Sequence, residues 1–112
     1  MFDLIIKNGT VVDGTGSARF KADVAVKGDS VVAVGEVTGD ATRVIDATGK
    51  VVTPGFIDLH THSDNSFLID PYADSKLTQG VTLELMGNCG MSYCAPFNAN
   101  TLDEFRSRTD KF

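Results

Sequence analysis

The sequence predicts a mixed fold: a small β domain over residues 1–54, then a β-α-β segment that opens a second domain over residues 55–112. Three observations carry this. Eleven of the twelve valines and seven of the eleven glycines lie in the first 53 residues, the composition of short strands divided by turns. Pro54-Gly55 marks a sharp change of direction. Beyond it an apolar run, a helix-like stretch closed by glycine and a second apolar run follow in β-α-β order.

In chain order, Asp3–Lys7 and Thr10–Asp13 flank Asn8-Gly9. That dipeptide readily supplies the two positive φ angles of a type I′ turn, which predicts a hairpin. After a loop at Gly14–Ser17, Ala22–Lys27 and Ser30–Gly35 flank Gly28-Asp29 and predict a second hairpin. Arg43–Asp46 and Lys50–Thr53 read as a third pair around Ala47-Thr48-Gly49. In the second domain Phe56–Leu59 reads as a strand, Ala73–Gln79 as a helix ended by Gly80, and Val81–Met86 as a strand again. A β-α-β unit implies parallel strands whose carboxyl ends point to one side, so His60, Thr61 and His62 follow one end and Gly87-Asn88-Cys89-Gly90 the other. Thr101–Arg108 reads as a final helix, with Thr101 and Glu104 at capping-box spacing.

Charge and composition exclude several function classes. Ten Lys and Arg against fifteen Asp and Glu leave a net charge of −5, and no stretch gathers the positive charge of a nucleic-acid groove. No run approaches the roughly 18 apolar residues of a membrane span, and Met1–Thr15 carries Asp3, Lys7 and two glycines in place of an uninterrupted apolar core. No nucleic-acid partner, no membrane and a cytoplasmic location are therefore expected. Cys89 and Cys94 stand five apart, where a disulfide-stapled secreted domain usually carries four or more cysteines. Reduced thiols fit better than a local bridge, because so small a loop gains little entropy from closure.

His60 and His62 are the sequence's two histidines, placed at i and i+2 directly after an apolar strand. In extended chain such residues share a face, so both imidazoles can approach one metal ion; two solvent-facing loop histidines are the alternative. Zinc takes neutral imidazole and thiolate, and Cys89 offers a thiolate at the end of the neighbouring strand. Gly87 and Gly90 let the backbone turn tightly there, though a cysteine that simply packs is the competing reading.

The run Val51-Val52-Thr53-Pro54-Gly55-Phe56-Ile57-Asp58-Leu59-His60-Thr61-His62 resembles the signature of the metal-dependent amidohydrolase superfamily, in which a Pro-Gly-Phe-Ile-Asp strand leads into an HxH metal pair. Upstream, Asp3–Gly14 is similar to the N-terminal strands of the same enzymes. Gln79-Gly80-Val81-Thr82 and Gly87-Asn88-Cys89-Gly90 most resemble the D-aminoacylases, the N-acyl-D-amino-acid deacylases. The resemblance implies that His60, His62 and Cys89 are metal ligands, that the complete enzyme holds one or two zinc ions, and that its substrate is an N-acyl-D-amino acid. It also implies a TIM barrel entered from a β-sandwich that N-terminal strands begin and C-terminal strands complete. A (β/α)8 barrel takes about 250 residues, so the 112-residue chain is expected to be a fragment holding the first βα units of an incomplete barrel. No general base is expected within it; the base and the remaining ligands belong to later strands.

Asp58 and Asp64 flank the histidines, and a strand-end aspartate more often caps backbone donors than acts catalytically. Asp58 shares the face of His60, which leaves a supporting role open. Cys94 matches no functional position. Two rival readings remain: a dihydroorotase- or hydantoinase-like cyclic amidohydrolase, and a non-catalytic β module or remnant. Strands left without neighbours also predict self-association of the isolated chain.

Overall fold

The computed structural model describes residues 1–90 together with Asp103, Arg106 and Ser107. It comprises two compact units, Met1–Pro54 and a second that begins at Gly55. The first is mostly strand: β1 (Phe2–Val11), β2 (Phe20–Lys27), β3 (Ser30–Gly35), β4 (Ala41–Asp46) and β5 (Val51–Val52). They form one mixed sheet in the order β3-β2-β1-β4, with β5 also on β1. β1–β2 and β2–β3 are antiparallel, whereas β4 and β5 run parallel to β1.

The β2–β3 hairpin forms as expected, closing between Lys27 and Ser30 with Gly28 at φ 62°. The expected Asn8-Gly9 hairpin does not form. β1 runs straight through that dipeptide as a bulge, in which Lys7 and Asn8 together face Asp23 between the pairs Ile6–Val24 and Gly9–Ala22. Asn8 alone takes positive φ, at 63°, while a type I′ turn needs it at both positions. Asn8 N–H donates to Asp23 Oδ1 at 2.9 Å and its amide to Asp46 Oδ1 at 3.1 Å, so contacts from two other strands hold the bulge. The expected pairing of Arg43–Asp46 with Lys50–Thr53 is also absent. Instead β4 and β5 lie in succession along one edge of β1, on Phe2–Lys7 and on Thr10–Val11. The turn between them hangs on the β1 backbone: Ala47 N–H donates to Lys7 O at 2.8 Å and Thr10 N–H to Lys50 O at 3.0 Å.

The bulge has a packing consequence. It shifts the two-residue alternation by one, so Val11 joins Ile6, Ala22, Val24 and Val52 in one cluster, while Ile5 packs with Ala25 and Val37 in another. Gly9 is required beside it, because a Cβ there would lie 2.6 Å from Val52 Cγ2.

The second unit holds β6 (Phe56–Asp58), a 3₁₀ turn at Ser63–Asn65, α1 (Ser66–Ile69), α2 (Asp74–Leu77) and β7 (Val81–Glu84). β6 and β7 are parallel, as the β-α-β reading requires. α2 starts one residue later than the helix expected over Ala73–Gln79, because Ala73 is left-handed at φ 51°, and it ends at Leu77 with Thr78 as its C-cap. Its chain exits through Gly80 at φ 83°. Cys94 and the capping pair Thr101 and Glu104 lie outside the described residues. Among the described residues no helix is long and apolar enough to cross a membrane.

Candidate metal centre

Parallel pairing of β6 with β7 sets the loops after the two strands side by side. After β6 the chain alternates: His60 and His62 are exposed, whereas Thr61 between them is 5% exposed and Ser63 is buried. Thr61 Oγ1 and Ser63 Oγ lie 2.6 Å apart, and Ser63 N–H donates to Thr61 Oγ1 at 3.2 Å. Two inward hydroxyls thus satisfy each other and turn both imidazoles outward; the rings meet edge to face, centroids 5.4 Å apart. After β7, Gly87, Cys89 and Gly90 all take left-handed φ, of 83°, 56° and 76°. Positive φ is uncommon for a residue with a Cβ, and Cys89 adopts it with its thiol exposed.

The two loops converge. One ligand atom from each of His60, His62 and Cys89 lies within 4.8 Å of the others, and Cys89 Sγ is 3.5 Å from His60 Nε2. Two imidazoles and a thiol are a donor set suited to a borderline-soft divalent ion.

Asp58 and Asp64 meet backbone donors. Asp58 Oδ1 accepts His60 N–H at 3.2 Å, and Asp64 Oδ1 accepts Gly87 N–H at 3.0 Å. Residues that sequence reasoning missed complete the support. Lys76 on α2 donates to Asp58 Oδ2 at 2.7 Å and to Thr61 Oγ1 at 3.2 Å, and pairs with Glu84 Oε1 at 3.5 Å. The Lys76 ammonium and then His60 N–H hold the Asp58 carboxyl below the usual carboxylate range, and Asp58 in turn raises Lys76. Asn88 Nδ2 donates to Leu85 O at 2.7 Å and to Thr61 O at 3.3 Å, reaching from the cysteine loop to the histidine loop. No sequence signal marks Lys76, whose partners depend on where the crossover lands. Asn88 stands within the Gly87–Gly90 run, of which the sequence reading singled out only the cysteine as a ligand.

Known proteins resemble this chain in sequence and in fold. N-acyl-D-glutamate deacylase of Alcaligenes xylosoxydans xylosoxydans is 44% identical over 101 residues, 88% of this chain and 21% of that protein. A D-aminoacylase structure, from work on the functional role of its binuclear metal centre, superposes with a TM-score of 0.81 at 48% identity, over 89% of this chain and 21% of the other. N-acyl-D-glutamate deacylase from Bordetella bronchiseptica, in complex with zinc and a phosphonate inhibitor, gives a TM-score of 0.79 at 42% identity over 88% and 21%. The chain thus spans about a fifth of the length of the relatives it matches. Residues 43–108 match the amidohydrolase family, and since that stretch carries both strand ends with His60, His62 and Cys89, the chain belongs to the amidohydrolase family.

Proposed function

We propose that His60, His62 and Cys89 are zinc ligands in a hydrolase that cleaves the amide bond of N-acyl-D-amino acids into a carboxylate and a D-amino acid. The observation that carries this reading is the convergence of two imidazoles and a thiol from two parallel strand ends. Two ligands of a tetrahedral zinc, with Zn–N of about 2.1 Å and Zn–S of about 2.3 Å, stand about 3.5 Å apart. Cys89 Sγ and His60 Nε2 have that separation, 3.5 Å. The relatives support the substrate: two of those compared are N-acyl-D-glutamate deacylases, and one of these is known in complex with zinc.

Bound zinc supplies Lewis acidity, polarising a scissile carbonyl and acidifying a water toward neutral pH. The chain's own residues orient and brace. Thr61 and Ser63 fix the loop that aims the histidines, and Asp58 caps the His60 N–H. Asp58 is assigned a bracing role and not that of the base, because Oδ1 accepts the His60 N–H and Oδ2 is held by Lys76, contacts that lower its basicity. The general base and further ligands are assigned to later strands. In this reading residues 1–54 are one part of a composite β-sandwich domain and residues 55–112 begin a (β/α)8 barrel. The metal count, one or two, rests on those further ligands. The cytoplasm, with its reduced thiols, is the proposed location. The isolated chain is proposed to self-associate through its open strand edges.

The test assays the whole protein on N-acyl-D-amino acids, N-acyl-L-amino acids and cyclic amides, with zinc content measured in parallel. Zinc-dependent release of the D-amino acid, abolished by His60→Ala, is expected. Hydrolysis of hydantoins or dihydroorotate without deacylation assigns the site to a cyclic amidohydrolase instead.

A further inference from the structure

The two loops that carry the candidate ligands are not held in the same way. The histidine loop is braced from its own unit's interior, through the buried Thr61 and Ser63 hydroxyls, Lys76 and Asp58. Cys89 instead sits in a left-handed conformation between glycines, at a position where a side chain is strained unless neighbours over-determine it. Apart from the 3.5 Å contact between the two ligand atoms Cys89 Sγ and His60 Nε2, the side-chain hydrogen bonds described for this loop come from two residues. Asp64 Oδ1 accepts Gly87 N–H at 3.0 Å, and Asn88 Nδ2 donates to Leu85 O at 2.7 Å and Thr61 O at 3.3 Å. Two of these three bonds cross from the cysteine loop to the histidine loop, and the third ties Asn88 back to the chain just after β7.

We infer that Asn88 and Asp64 are positioning residues that clip the cysteine loop onto the histidine loop and so present the Cys89 sulfur to the metal. The inference rests on the ligand reading above. Asn88 suits the task because its amide offers two N–H donors, one for each carbonyl. An isosteric aspartate would turn a negative oxygen toward both carbonyl oxygens and push the loops apart. Asp64 needs only an acceptor, so asparagine can replace it and alanine cannot. Partners that orient metal ligands typically change metal affinity by about 10- to 100-fold when removed.

The experiment titrates the whole protein carrying Cys94→Ser with cobalt(II), with Cys89→Ser as the reference that lacks the thiol in question. Thiolate-to-cobalt absorption reports sulfur ligation, and far-UV circular dichroism reports the fold. The Cys94→Ser protein is expected to show a thiolate band larger than that of the Cys89→Ser protein. Adding Asn88→Asp or Asp64→Ala should abolish the band and weaken cobalt binding by about tenfold or more, with the far-UV signal unchanged, and Asp64→Asn should restore both. A band kept at unchanged affinity in both Asn88→Asp and Asp64→Ala overturns the inference and leaves the metal reading standing. A thiolate band in the Cys94→Ser protein no larger than in the Cys89→Ser protein removes Cys89 from the ligand set and overturns both. If Asn88→Asp loses its far-UV signal, the Asp64→Ala and Asp64→Asn pair decides alone. Loss of that signal in Asp64→Ala as well marks a structural role and overturns the inference.

Discussion

Asp58 and Glu84 stand directly opposite each other across the β6–β7 ladder, two carboxylates in register at neighbouring parallel strand ends. Like charges in that relation destabilise a sheet. Lys76 resolves the conflict, with Nζ 2.7 Å from Asp58 Oδ2 and 3.5 Å from Glu84 Oε1. The Glu84 side chain is only 7% exposed, so water offers it little alternative. Lys76→Met should therefore lower the melting temperature of the second unit, and Lys76→Arg should lower it less. Adding Glu84→Gln to Lys76→Met should recover part of the loss, read by thermal melting. A melting temperature unmoved by Lys76→Met would show that the two carboxylates need no counter-ion.

Acid should loosen the first unit at the β1 bulge. The Asn8 N–H, and then Lys7 and the Val37 N–H, hold Asp23 below the usual carboxylate range; the Thr48 hydroxyl and then the Asn8 amide do the same for Asp46. A depressed folded pKa contributes stability that is present above the unfolded value, about 3.9, and is lost as pH falls through the folded value. Melting temperature should hold steady at pH values above that range and drop below it. In the Asp23→Asn, Asp46→Asn double variant the drop should be shallower. Equal acid sensitivity in the two proteins would place the titrating groups elsewhere.

Gly55 allows β7 to approach the start of the second unit. A Cβ there would lie 2.8 Å from Thr82 Cβ and closer still to the rest of that side chain. Gly55→Ala should destabilise the second unit by about 1–3 kcal/mol, the range of overpacking, measured by denaturant melts. Thr82→Gly in the same chain should return part of it. Gly14→Ala tests a different cost: no atom lies within 4 Å of its Cβ, but its φ of 80° strains any side chain.

Zinc affinity should follow one thiol. Thiolate is the softest donor in the proposed set, so Cys89→Ser should weaken zinc binding more than Cys94→Ser. Competition with a chromophoric chelator measures both, and equal losses would mean that the ligand is misassigned.

Self-association is expected of the chain in isolation. Among the described residues β6 and β7 form a two-stranded sheet, and Phe56, Ile57, Leu59, Leu83 and Leu85 are all more than half exposed. Open edges beside exposed apolar side chains pair readily. Sedimentation should show mass rising with concentration; a cooperatively melting monomer at high concentration would contradict it.

Residue order alone determined a good part of this protein. Valines and turn glycines placed the strands of the first unit, Gly28-Asp29 marked a true hairpin, and the apolar runs around Val81 and Phe56 gave parallel β6 and β7. Periodicity and turn chemistry are local, so local sequence carries them. The i, i+2 histidines and the cysteine after the next strand were also legible, since strand alternation and parallel pairing suffice to bring His60, His62 and Cys89 toward one another. Tertiary structure decided what depends on distant partners. Asn8-Gly9 has the chemistry of a turn, but backbone and side-chain bonds from β2 and β4 hold it in a strand as a bulge. Arg43–Asp46 and Lys50–Thr53 could pair with each other by local reasoning, yet β1 offers both a longer common edge. Lys76 and Asn88 became part of the site only when the crossover set them beside Asp58, Glu84 and Thr61, because a hydrogen-bond partner 15 to 27 residues away is fixed by the path of the chain and leaves no spacing in the sequence to read.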